Sequence, residues 1–262
     1  MKNLFQILFF SSILFFGFFT CKPPEKVAPP FPPEKDLTLD FSYFINPPYE
    51  TGNYAFAFQT SRSWADLFND SVSLYKNMLN TISDNELKFQ DNHTWLISDI
   101  YYSGDNQYDI NYFEVIDADT VKTKLFFSLD STYTNLLLFD GWFLADSTNG
   151  FRQINKPDTA NTYIKFLKLE WNIIPSLNIK RTIKYTNQLL DNKNGNFILF
   201  KDSADNQYDS YFDFFDKASE THTIIEYNKA STVGRVKNLQ YFGDENWHCW
   251  DKDRQDINCS GK

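Results

Sequence analysis

The chain has 262 residues, with 34 acidic against 25 basic side chains, a net charge of −9 and a pI near 4.8. That balance has the wrong sign for nucleic-acid backbones or anionic lipid surfaces, and no basic cluster with interleaved aromatics offsets it, so nucleic acid is excluded as an expected partner. Three cysteines, Cys21, Cys249 and Cys259, are too few for a disulfide-rich scaffold.

Residues 1–20 begin with Met1, Lys2 and Asn3 and continue without a charge from Leu4 to Thr20. A positive start and an apolar run make an export signal. The run is also at the lower limit for a helix crossing a bilayer of about 30 Å, so an uncleaved anchor is one alternative and ordinary secretory cleavage another. Residues 21–40 follow as a spacer rich in proline, including Pro23, Pro24, Pro29, Pro30, Pro32 and Pro33. Consecutive prolines favour an extended, semi-rigid segment over a packed core.

Residues 41–262 read as a single, mainly β domain, a length that one all-β unit can occupy. Near its start, "SRSWADLFNDSVSLYKNMLNTISDNE" carries Trp64, Leu67, Phe68, Val72, Tyr75, Met78, Leu79 and Ile82 at helical spacing. This predicts one amphipathic helix, with Ser63 and Asp66 resembling a capping box at its start. From there the period changes to two. "HTWLISDIYY", "YDINYFEVI", "VKTKLFFSL", "YIKFLKLEW", "LNIKRTIKY", "GNFILFK", "YDSYFDFF" and "HTIIEYN" read as strands, separated by tracts rich in Asp, Asn and Gly. The expectation is an antiparallel meander of about ten strands, curled into a barrel, a half-barrel or a sandwich. "LLLF" at 136–139, "IKFLKLEW" at 164–171 and "YFDFF" at 211–215 are apolar on both faces. Either a second layer covers them or they line a greasy concavity.

"DNQYD" occurs twice, at 105–109 and 205–209. Asp105, Asn106 and Asp109, with Asp205, Asn206 and Asp209, could supply oxygens to calcium, but the spacing is not that of an EF-hand and the residue types suit turns. The expectation is no metal and no cofactor. Catalytic signatures are missing: there is no G-x-S-x-G, H-E-x-x-H, P-loop or G-x-G-x-x-G, and His93, His222 and His248 are scattered. No catalytic residue is assigned, and the chain is expected not to be an enzyme. Trp142, Trp247 and Trp250 are the aromatic candidates for stacking on a sugar ring.

Phe18, Phe19, Thr20 and Cys21 stand where a bacterial lipobox has an aliphatic residue, two small residues and the cysteine. With the proline spacer and the β domain, the chain resembles the uncharacterised envelope lipoproteins of Gram-negative bacteria. The resemblance implies lipidation at Cys21, a lipid anchor in the outer membrane facing the periplasm or the exterior, and a membrane as partner. A lipid on Cys21 leaves Cys249 and Cys259 as an even pair in an oxidising compartment, where they are expected to form a disulfide closing a C-terminal loop. The expected role is a non-catalytic binding or structural module, with an apolar or lipid ligand suggested by analogy with the half-barrels of lipoprotein carriers. A surface carbohydrate-binding or adhesion role is the alternative, and an envelope hydrolase a third.

Overall fold

A computed structural model describes residues 41–259, apart from 46, 84, 91–92, 131, 159–160, 174–180, 190–192 and 203–206, together with residues 28 and 39. The leader, Cys21 and most of the spacer lie outside the described residues.

The first element is helix α1 (Asn53–Ser83). It is 31 residues long and begins well before the position that Ser63 and Asp66 suggested. Ser63 does not cap it: its hydroxyl donates to the Gln59 carbonyl inside the helix, and Asp66 faces Arg62 one turn away. The buried stripe runs Tyr54, Ala57, Ser61, Ala65, Phe68, Val72, Tyr75, Leu79, Ile82, steps of three and four that keep one face toward the sheet.

Fourteen strands follow in one antiparallel sheet whose spatial order is the chain order: β1 (Lys88–Phe89), β2 (Thr94–Ser103), β3 (Asn106–Asp117), β4 (Thr120–Leu129), β5 (Tyr133–Leu144), β6 (Asn149–Pro157), β7 (Tyr163–Asn172), β8 (Arg181–Asn187), β9 (Phe197–Asp202), β10 (Ser210–Asp216), β11 (Thr221–Tyr227), β12 (Gly234–Lys237), β13 (His248–Trp250) and β14 (Asp256–Ile257). A four-residue helix, α2 (Leu239–Phe242), sits between β12 and β13. The meander is as expected, but among the described residues it has fourteen strands rather than about ten, and β1 and β14 do not pair, so the sheet is not closed into a barrel. All the strands belong to this one sheet, so no second sheet is stacked on it among the described residues.

Helix α1 lies across the strands. Its first residue touches the β13–β14 end, and Asn85, just past its last turn, donates to Asp99 on β2. Thirty-one residues at about 1.5 Å each give roughly 46 Å. Eleven strand spacings of about 4.8 Å give roughly 53 Å. The helix is therefore nearly as long as the β2–β13 part of the sheet is wide, and one element can bury the inner face of almost every strand.

That inner face carries Ile110 and Tyr112 on β3, Leu125 and Phe127 on β4, Leu169 and Trp171 on β7, Phe212 and Phe214 on β10, all in one continuous core with the helix stripe. Two tryptophans fill space left by glycines on the neighbouring strand. Gly150 pairs with Trp171, and Gly234 with Trp250. A Cβ on either glycine would stand 2.1 Å from the facing indole. The chain enters this core through Phe41, stacked on Phe212 at 5.2 Å, and Tyr43, stacked on Tyr227 at 4.0 Å.

The two-faced apolar tracts have a local cause. Between β4 and β5 the register slips: Leu125 pairs with Phe139 but Phe126 with Leu137, so Leu138 is an extra residue and both Leu138 and Phe139 are buried. A second slip makes Phe166 the extra residue of β7, opposite Ile154 and Asn155 of β6. On "YFDFF", Phe212 and Phe214 face the core, while Tyr211 and Phe215 face outward, with Lys201 4.9 Å above the Tyr211 ring and Phe215 against Phe197.

Candidate functional site

The β6–β7 slip is where the sheet loosens. The β5–β6 pairing stops at Phe139 and Ile154, and beyond it Asn155 substitutes a side-chain bond, its amide Nδ2 donating to the Leu137 carbonyl at 3.4 Å. Because β5 and β6 part here and β7 bulges, α1 does not fill the space in front of them. A cavity of about 430 Å³ lies between α1 and the inner face of β5–β9. Its walls are Phe68 and Tyr75 from α1, with Leu138, Ile154, Leu167 and Ile198 from the sheet.

Two lysines, Lys156 and Lys193, also line the cavity, and no aspartate or glutamate does among the described residues. Lys156 is exposed at the end of β6, with its ammonium 5.7 Å from the Phe166 ring. Lys193 belongs to the β8–β9 connection. Backbone bonds from Asn187 N to Asn196 O and from Gly195 N to Asn187 O tie that connection down. Asn155 is 2% exposed, and among the described residues its Oδ1 receives no hydrogen bond. Its orientation is set by Leu137, whose carbonyl can only accept, so the amide nitrogen faces Leu137 and the oxygen is the free acceptor.

Behind the Tyr75 and Tyr185 wall is a polar knot in the core. Arg152 projects from the inner face of β6 and donates to the Tyr75 hydroxyl. Its guanidinium carbon lies 5.1 Å from the Phe139 ring centre and 5.7 Å from Trp171, so aromatic faces surround the charge. Burial lowers its pKa from the ordinary arginine value. In the same register row, Arg152 pairs with Gly141, Gly141 with Thr123 and Thr123 with Glu114. Glu114 accepts from the Tyr112 hydroxyl. Burial pushes the Glu114 carboxyl up to about 8, against a smaller opposite effect of the Tyr112 bond, so it is neutral at pH 7.

The residues singled out from sequence are placed as follows. Cys21 is outside the described residues. Cys249 and Cys259 meet, with sulfurs within bonding distance and Cα atoms 5.2 Å apart. The first "DNQYD" supplies Asp105 to the two-residue β2–β3 turn and Asn106, Gln107, Tyr108 and Asp109 to the start of β3, where Gln107 donates to Asp109 at 3.4 Å. In the second, Asp205 and Asn206 are outside the described residues, and Asp209 accepts from Ser210 and the Lys229 amide. Among the described residues no group of three His, Cys, Asp or Glu could hold a metal ion. Asp213 accompanies His222 on the outer face, Asp244 accompanies His248 near the C-terminus, and His93 sits in a turn, so the histidines do not converge. Trp250 is buried, Trp247 lies 4.2 Å from the Arg235 guanidinium, and Trp142 is 37% exposed on β5. Of the tracts proposed to line a concavity, "IKFLKLEW" does so through Phe166 and Leu167, and "YFDFF" does not line the cavity.

Asn155, Lys156, Lys193 and the Arg152 knot were not found from sequence. The available signal was the alternation Gly150, Arg152, Ile154 in "GFRQINKP", a strand pattern with a charge in place of an apolar residue. No helix among the described residues is long and apolar enough to cross a membrane. No protein-family model, curated protein or solved structure matches the chain.

Proposed function

We propose that the β domain is a non-catalytic binding module for an apolar or amphipathic ligand, carried on the outer membrane by a lipid on Cys21. The observation that supports the binding role is the cavity between α1 and β5–β9. At about 430 Å³ it falls within the range of roughly 300–1,000 Å³ typical of small-molecule sites, and its walls are mostly apolar with a few polar groups, as such sites are built. The open sheet with a helix along one face is in keeping with the half-barrel expectation, in which an interior space beside the helix would admit a ligand. The anchor reading is supported by the uncharged run up to Thr20, the cysteine directly after it and the proline spacer.

Native mass spectrometry of the full-length protein from its source tests the binding role. A retained ligand of lipid mass is expected, and none should survive exchange into a Phe68→Trp, Leu167→Trp variant that fills the cavity. Protein that carries no adduct and takes up none of a panel of lipids would remove the reading. For the anchor, Cys21→Ala should leave the precursor unprocessed and abolish acyl labelling. A variant still processed and still on the membrane would dismiss lipidation. The carbohydrate alternative draws less support: Trp250 is inside the core and Trp247 is engaged with Arg235, which leaves Trp142 without either of them as a partner platform.

A further inference from the structure

The apolar cavity does not end at Trp64. A second space, of about 350 Å³, lies between the first half of α1, the end of β10, β11 and α2. Trp64 lines both. Phe56, Thr60 and Trp64 of the one and Trp64, Phe68 and Tyr75 of the other follow at steps of four and seven, so the two spaces lie end to end along one flank of α1. They adjoin on the sheet side as well. Asn196 lines the apolar cavity and its Oδ1 accepts from the amide of Lys217, which directly follows Asp216 of the second space.

The chemistry changes across Trp64. The floor of the second space is aromatic, with Trp64 tilted over Phe214 at 5.7 Å. Its rim is hydroxyl and amide: Gln59, Thr60 and Ser63 from α1, with Thr221 and Gln240 opposite. The Thr221 hydroxyl donates to Gln240 Oε1 at 3.1 Å, which leaves the Gln240 NH₂ as a donor. No hydrogen bond within the described residues occupies the Gln59 amide or the Thr60 hydroxyl. Among the described residues no lysine or arginine lines the space. Its one carboxylate there, Asp216, is served by its own turn, accepting from the Ala218 amide and the Ser219 hydroxyl. A phosphate head would find no cation, and an ammonium head would find that carboxylate already engaged. An aromatic floor under uncharged donors and acceptors suits a sugar, whose C–H faces are apolar and whose hydroxyls both donate and accept.

From this continuity the geometry points to a neutral single-chain glycolipid as the ligand. Its chain lies along Phe68, Leu138 and Ile198, and its sugar meets Gln59, Thr60 and Gln240, with Trp64 at the junction. At about 30 Å³ per water-sized group, 350 Å³ holds on the order of twelve groups, the ring atoms and hydroxyls of one hexose, and 430 Å³ on the order of fourteen, one medium-length chain. The inference rests on the binding-module reading above and adds the class of head group.

The test uses the full-length protein in lipid nanodiscs and two photo-probes built on octyl β-glucoside, one with a diazirine at the chain end and one with it on the sugar. The first should label Phe68, Tyr75 or Ile198, and the second Gln59, Thr60 or Thr221. Unlabelled octyl glucoside should displace either probe about tenfold better than octanol, octylphosphocholine or octyltrimethylammonium, a factor that one good polar contact supplies. The variant Gln59→Ala, Thr60→Val should erase that preference while leaving the melting temperature in place. Equal or better competition by any of the other three compounds, a preference that survives in the variant, or a sugar probe that labels the apolar cavity would overturn the sugar head while leaving a binding cavity. A chain-end probe that labels nowhere in the cavity, with no competitor having an effect, would overturn the binding module itself.

Discussion

The Asp256 carboxylate accepts a 2.8 Å hydrogen bond from the backbone amide of Asn53, the first residue of α1, although 203 positions separate the two. The last strand thus caps the first helix. Asn53 answers by donating its side-chain amide to the Cys249 carbonyl at 2.9 Å, so the disulfide-bearing segment and the helix start are held from both sides. A negative group at a helix N-terminus satisfies a free N–H and faces the positive end of the helix dipole.

Asp256→Ala should therefore destabilise the protein by about 1 kcal/mol, a drop in Tm of roughly 2–4 °C. Asp256→Asn retains an acceptor and loses the charge, so its cost should be smaller and less sensitive to salt. Differential scanning calorimetry at low and high ionic strength separates the two. A wild-type Tm for Asp256→Ala would show that the cap contributes nothing.

Opening the Cys249–Cys259 disulfide should act on the same helix end. The two cysteines are ten positions apart, and releasing so short a loop should cost about 2–3 kcal/mol in the chain-entropy picture. Because Cys249 also supplies the carbonyl bound by Asn53, the loss should spread to α1. Hydrogen exchange at residues 56–60 of a Cys249→Ser, Cys259→Ser variant should accelerate relative to β4 and β5. Uniform exchange across the domain would contradict that coupling.

Glu114 makes stability depend on pH. Its folded-state pKa of about 8 lies above the ordinary glutamate value of 4.5, because burial disfavours the charged form. Below pH 4.5 the carboxyl is protonated in both states and costs nothing. Between about pH 4.5 and 8 the unfolded chain ionises while the folded protein keeps its proton, so stability falls as pH rises, by on the order of a few kcal/mol across the window. Above pH 8 this contribution levels off. Glu114→Gln should flatten that slope, as read from urea unfolding at a series of pH values. An identical pH dependence in the variant would show that Glu114 does not titrate in this range.

Gly150 and Gly234 should tolerate no side chain. A Cβ at either position would meet a tryptophan ring at 2.1 Å, a clash with a rigid, buried partner. Gly150→Ala and Gly234→Ala should each cost about 1–3 kcal/mol or more from overpacking. Combining Gly150→Ala with Trp171→Leu should cost less than the sum of the single changes, since the leucine removes the clash. Strict additivity in thermal unfolding would show that the glycine and indole do not occupy shared space.

Legibility from sequence followed burial. Strands β2, β3, β4, β8, β9 and β11 were readable because one face of each is in the core and the other is more open to water, which leaves a period of two, and β7 and β10 were readable as apolar, aromatic-rich runs bounded by turn residues. Strand β6 was not, because Arg152 occupies a core position and Gln153 and Asn155 are buried beside it. β1, β12, β13 and β14 have two to four residues each, too short to show a period. The helix was recognised by its stripe, but its first ten residues were missed. Its real cap, Asp256, comes from the far end of the chain, and Ser63 with Asp66 offered a local imitation. The cavity was legible only as a doubt, in the two-faced "IKFLKLEW". Its polar groups were invisible because a register slip and a turn bring them there.

The amino-acid order alone determined that this is an acidic chain and a mainly β meander with one packing helix. Those properties follow from local periodicity, charge and side-chain chemistry, which need no knowledge of what touches what. Only the tertiary structure decided that the sheet is open and has fourteen strands, that Asp256 caps α1, and that Lys156, Lys193 and Asn155 line one apolar cavity. These depend on contacts between residues tens to hundreds of positions apart, and the energy that selects them resides in packing and register rather than in any single stretch of chain.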